Sequence, residues 1–128
     1  MKLLLDTHLL LWAAGHRGRL SPKALSMIED LQNDLHFSVA SLWEIVIKRA
    51  LGRDDFRVEP NRMRRGLLEN GYQEVPVTAG HVLGIEALPV LHKDPFDRLL
   101  LSQARVEGFL LLTTDAVLGR YAEPVCCV

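Results

Sequence analysis

Cysteine is scarce in this 128-residue chain: there are two, Cys126 and Cys127, and they are adjacent. Neighbouring residues of a strand point to opposite faces, so an ordinary disulfide between them is strained. Both read as packing residues of a last strand. A structural zinc site needs about four Cys or His ligands at characteristic spacing, and no such spacing occurs. No apolar run approaches the roughly 18 residues of a membrane span. Repeats, low-complexity tracts and obvious linkers are also missing, which leaves one domain over residues 1–128. Met1-Lys2-Leu3-Leu4-Leu5-Asp6 meets an acid early and offers no small-residue cleavage site, so no signal peptide is expected and a cytoplasmic location is.

The chain also lacks an excess of charge of either sign. Fifteen Lys and Arg against sixteen Asp and Glu give a net charge of −1, which does not advertise a nucleic-acid binder. Setting four candidate ligand acids aside changes the balance to fifteen against twelve, or +3. The basic residues cluster as Lys48, Arg49 and Arg53, and as Arg62, Arg64 and Arg65; solvated helix faces are the ordinary reading of such clusters.

What the chain has is apolar content, 48% hydrophobic residues, arranged in short runs between helical patterns. Leu3 to Leu5 reads as a buried parallel strand ending at an acid. Further strands are expected at His36 to Val39, Glu74 to Val77, Phe109 to Thr113 and Val125 to Cys127; Pro76 puts the Glu74 strand at an edge or a bend. Helices are expected over residues 8–14, from Ser21-Pro22 to Asn33 on a Leu25, Ile28 and Leu31 stripe, and from Leu42 to Leu51 closed by Gly52. Residues Arg53 to Pro60 read as a polar connection before a helix over 62–69, and Thr78 caps another reaching Ala87. The clearest helix runs from Pro95 to Glu107, capped by Asp94 and ended by Gly108. Such alternation points to an α/β fold with a central parallel sheet covered by helices on both faces.

Ligands of such sheets bind at the carboxyl ends of the strands. Four acids fall where that edge would be: Asp6 and Asp115 just after strands, Glu44 and Asp97 in first turns of helices. Each has an ordinary explanation. Ser41-Leu42-Trp43-Glu44 fits a capping box, Asp97 favours the positive end of a helix dipole, and Asp115 can cap a helix. Asp6 is harder to explain, because a carboxylate at the end of an apolar strand is costly without a partner. Together they suggest a Mg²⁺ or Mn²⁺ site, since gathered carboxylates repel one another unless a hard cation sits between them.

In order, Leu-Asp-Thr at 5–7, Ser-Leu-Trp-Glu-Ile at 41–45, Asp-Pro-Phe-Asp-Arg-Leu-Leu at 94–100 and Leu-Leu-Thr-Thr-Asp at 111–115 resemble the PIN domain. More closely, they are similar to the VapC-type toxin ribonucleases of bacterial toxin–antitoxin pairs, over essentially the whole length. The resemblance implies a PIN-like fold and a metal-dependent endoribonuclease, with Asp6, Glu44, Asp97 and Asp115 as metal-binding and catalytic acids. Thr7, Ser41 and Thr114 would be hydroxyls that hydrogen-bond those carboxylates or water, and Asp94 a neighbouring helix cap. Hydrolysis of RNA phosphodiesters would use water activated by one or two ions. The implied partners are RNA, a small DNA-binding antitoxin of the VapB kind and a second copy of the chain.

Apolar residues on more than one side of the Leu42 helix, Ile45 and Val46 on one and Trp43 and Ile47 on another, also suit burial or an interface. Trp12 and Trp43 read as core or interface anchors. His8 reads as a packing or solvent-facing residue, while Arg98 and His92 are candidates for phosphate contact. A haloacid-dehalogenase-type phosphatase would need an acid where His8 stands, and a receiver domain an acidic pair and a late Lys that the chain lacks. The remaining alternative is a catalytically silent PIN-like scaffold that binds RNA or a partner.

Overall fold

The computed structural model describes residues 1–128. Its strands are β1 (Lys2–Leu5), β2 (Asp34–Ser38), β3 (Gln73–Val75), β4 (Leu110–Thr113) and β5 (Val125–Cys127). The helices are α1 (Thr7–Gly15), α2 (Pro22–Glu29), α3 (Val39–Ala50), α4 (Pro60–Glu69), α5 (Ala79–Gly84), α6 (Pro95–Glu107) and α7 (Ala116–Gly119). The strands make one sheet in the order β3-β2-β1-β4-β5, and every pairing is parallel.

Strand alternation divides the core into two layers. Leu3 and Leu5 of β1 join Leu112 in a layer with Leu9 and Leu10 of α1, Ala24 and Ile28 of α2, Ile45 of α3 and Met63 and Leu67 of α4. Leu4 and Leu111, pointing the other way, pack with Leu100, Leu101 and Ala104 of α6 and Leu118 of α7. Leu3, Leu4 and Leu5 are all fully buried, as the central strand of a two-faced parallel sheet requires. The β3 strand is at the sheet edge, and Pro76 falls just past its end, where a missing amide breaks no ladder bond. Cys126 packs against the first layer, while Cys127 is exposed.

Several boundaries differ from the sequence expectation. Helix α2 stops at Glu29, and Leu31 is fully exposed, because Asp30 turns the chain by accepting the Gln32 amide. Helix α3 begins at Val39, capped by Ser38, so Ser41 lies inside the helix and forms no capping box with Glu44. The 53–60 connection is not merely polar: a 3₁₀ turn over Asp54–Phe56 buries Phe56 completely. Helix α5 ends at Gly84 and continues as a 3₁₀ turn to Ala87. Helix α6 runs from Pro95 to Glu107, with Asp94 as its cap and Gly108 in the left-handed region at φ 75°.

Candidate metal centre

Asp6 leaves the central strand at its carboxyl end and caps α1. One oxygen accepts the Leu9 amide at 2.9 Å, and the other accepts the Thr113 hydroxyl at 2.5 Å. Register explains the second contact: Leu5 pairs with Leu112, which sets Asp6 beside Thr113. Thr113 has one hydroxyl proton, committed to Asp6, and its oxygen accepts the Asp115 amide at 2.9 Å. One buried threonine thus ties the first acid to the last. Thr114, the hydroxyl expected there, lies just past the end of β4 and is exposed.

Glu44 is 3% exposed in the second turn of α3, one turn later than expected. The Thr7 hydroxyl donates to its Oε1 at 2.7 Å, and the Lys48 ammonium to its Oε2 at 2.5 Å. With its single proton given to Glu44, Thr7 accepts from Ser41 at the 3.0 Å contact between their hydroxyl oxygens. Lys48 also lies 4.9 Å from the centre of the Phe56 ring, which helps hold the ammonium over apolar surface. The Glu44–Lys48 spacing of four residues is the helical ion-pair signal, and sequence reasoning missed it.

Asp97 is in the first turn of α6, and Asp94 caps the same helix by accepting the Phe96 and Asp97 amides at 2.9 and 3.0 Å. Asp115 caps α7 by accepting the Val117 amide at 2.8 Å. The residue joining them is His92. Its Nε2 lies 2.8 Å from Asp97 Oδ2 and 3.3 Å from Asp115 Oδ2. One donor atom from each of these three residues lies within 4.8 Å of the others.

Burial, with charge repulsion added, raises two of the acids. Burial pushes the Asp97 carboxyl up to about 7, reinforced by the nearby charges of Asp94, Asp6 and Glu44 and opposed by the His92 hydrogen bond. Burial also raises Asp6, against the bonds from Thr113 and Leu9 that favour its ionised form. Asp97 and Asp6 are both pushed towards the neutral state, and a hard divalent cation beside them would restore their ionisation. The donor set fits Mg²⁺ or Mn²⁺.

Other candidates fall elsewhere. His8 bonds Asp55 at 3.2 Å rather than an acid of the centre. Arg98 leaves a buried Nε without a hydrogen-bond partner. Trp43 is 58% exposed and meets Phe96 edge-on at 5.1 Å, so it is a surface residue beside the centre and not a core one. No helix is long and apolar enough to cross a membrane.

Among solved structures, the chain is similar to VapBC2 from Rickettsia felis bound to a promoter DNA fragment, at 15% identity and TM-score 0.69, covering 100% of this chain and 98% of that one. It is also similar to a toxin–antitoxin complex from Klebsiella pneumoniae, at 19% identity and TM-score 0.62, covering 97% and 95%. A third similar structure is VapBC-1 from nontypeable Haemophilus influenzae, at 17% identity and TM-score 0.63, covering 100% and 97%. At such identities the likeness is one of fold. No curated protein sequence matches the chain significantly. The PIN domain family model matches residues 3–124, and with acids from four separate segments meeting at the carboxyl edge of a parallel sheet, the chain belongs to the PIN domain family.

Proposed function

We propose that this protein is a metal-dependent endoribonuclease acting in the cytoplasm as the toxin of a toxin–antitoxin pair. The observation that carries the reading is that Asp6 and Glu44 lie near enough to act on Asp97 electrostatically, while Asp97, pushed up to about 7 chiefly by burial, is joined to Asp115 through His92. Neighbours of the same fold that are toxin–antitoxin complexes support the toxin assignment and a small antitoxin partner. Trp43 and Val46 on α3 and Leu83 on α5, each at least half exposed, are consistent with a homodimer, which light scattering at micromolar concentration tests.

A bound Mg²⁺ or Mn²⁺ would supply Lewis acidity that activates water and offsets charge on the phosphodiester. Asp97 and Asp115 offer the more accessible oxygens to hold it, and Asp6 presents the lone pairs not used by Leu9 and Thr113. Thr113 fixes Asp6 relative to Asp115, and Thr7 fixes the Glu44 carboxylate. Lys48 balances part of the negative charge beside Glu44. No side chain is required as nucleophile: water attacks the phosphorus and the 3′-oxygen leaves with a proton, so the products carry 5′-phosphate and 3′-hydroxyl ends.

The test is cleavage of labelled total RNA by the purified protein in Mg²⁺, Mn²⁺ or EDTA, beside Asp6→Asn and Asp97→Asn. Cutting is expected with metal alone and is expected to fall at least 100-fold in both variants, as when a positioned charge is removed from a reacting centre. Products ending in 2′,3′-cyclic phosphate would overturn the mechanism, since they require attack by the ribose. No cutting of any RNA by folded, partner-free protein would leave a binding scaffold as the better description.

A further inference from the structure

The chain has five histidines, and only His92 hydrogen-bonds the carboxylates of the centre. Its side chain is 15% exposed, on a segment between the 3₁₀ turn after α5 and the start of α6. The segment is anchored. The Tyr121 hydroxyl accepts the amides of Leu91 at 3.2 Å and His92 at 3.1 Å, and donates to the Pro89 carbonyl at 2.8 Å. A tyrosine from the far side of α7 thereby fixes the backbone from which the imidazole reaches inward.

Two roles would place an imidazole here. It could serve as a counter-charge for two acids, or its Nε2 lone pair could be a metal ligand. Ligands about 2.1 Å from an octahedral ion lie about 3.0 Å apart when adjacent and about 4.2 Å apart when opposite. The distances from Nε2 to Asp97 and Asp115, 2.8 and 3.3 Å, match adjacent positions around one ion. The three donors, from a loop, a helix start and a helix cap, lie within 4.8 Å of one another.

We propose that His92 Nε2 is a direct metal ligand together with Asp97 and Asp115, making the centre a mixed nitrogen–oxygen site that prefers Mn²⁺ over Mg²⁺. The preference follows from donor chemistry: imidazole suits first-row transition ions, whereas Mg²⁺ favours carboxylate and water oxygens. This rests on the metal reading above, and its test separates the two.

Mn²⁺ is titrated into the full-length chain, with free ion followed by electron paramagnetic resonance and bound ion by pulsed measurement of nitrogen coupling; Mg²⁺ is measured by competition. Expected are ¹⁴N modulation in the native protein, its loss in His92→Gln, and a fall in Mn²⁺ affinity of about 10- to 100-fold or more. The Mg²⁺ affinity should fall less, since glutamine returns an oxygen donor. Mn²⁺ bound without nitrogen coupling, or an affinity unchanged in His92→Gln, would overturn the ligand role while leaving the metal centre standing. Failure of the native protein to bind Mn²⁺ would overturn both. The coupling in the native protein decides the matter even if the variant fails to fold.

Discussion

Asp97 concentrates the electrostatic conflict of the molecule. Its carboxyl titrates near 7 in the folded protein against 3.8 as a free side chain, chiefly because it is buried. Between those values the folded state holds a proton that the unfolded state has released. The stabilisation from that proton is therefore complete below pH 3.8 and is lost as pH rises towards 7. Each unit of separation corresponds to about 1.4 kcal/mol, so the whole effect is on the order of a few kcal/mol. Asp6 shifts in the same direction and adds to it. In EDTA, Asp97→Asn should therefore melt at a higher temperature than the native protein at pH 8, and the gap should close towards pH 5. Melting curves for the two proteins that stay parallel across that range would refute the argument. Metal binding requires the ionised carboxylate, so affinity should rise with pH up to about 7.

Helices and strands differ in how much of their role can be read from sequence. Helix α6 was fully legible: Asp94, Pro95 and Gly108 are a cap, a first position and a left-handed terminator, and each acts locally. The start of α3 was not, because Ser38 and Ser41 are both plausible caps and only the end of β2 chooses between them. Thr113 was passed over for Thr114 because the choice depends on the β1–β4 register, a contact across more than a hundred residues. His92 enters the centre through a loop path that only the tertiary structure directs, whereas Lys48 was legible from its four-residue spacing to Glu44. Asp6, Asp97 and Asp115 stand at a strand end or a helix start as their places in the sequence suggest, whereas Glu44 lies a turn further into α3.

A helix contact also gives a test at this scale. Gly84 ends α5 against α6, where a Cβ would lie 2.7 Å from Ser102 Oγ. That oxygen donates to the His81 carbonyl at 2.6 Å and is not free to move. Alanine gains about 1 kcal/mol in helix propensity, but overpacking costs about 1–3 kcal/mol. Gly84→Ala should be net destabilising in urea titration. Ser102→Ala should cost less in the Gly84→Ala background than alone, because it removes the clashing atom. Additive losses would mean that the two helices part without strain.

For the whole molecule, folding gathers Asp6, Glu44, Asp94, Asp97 and Asp115 from four distant segments, with Lys48 and His92 the cations or potential cations bonded to them. A chain of net charge −1 thus holds a strongly negative edge, and nothing comparable exists once it unfolds. A divalent ion should bind the folded state far better than the unfolded one, so it should act as a stabilising ligand. At about a hundredfold excess over Kd the gain is about 2.7 kcal/mol, which for a domain of this size raises Tm on the order of 10 °C. Monovalent salt at equal ionic strength should give much less, because screening acts weakly on buried charges. Asp97→Asn should lose most of the metal response while its metal-free Tm rises, and that opposed pair of changes distinguishes a specific centre from diffuse binding to surface acids. If MgCl₂ and NaCl raise Tm equally at matched ionic strength, the acids are not organised around an ion.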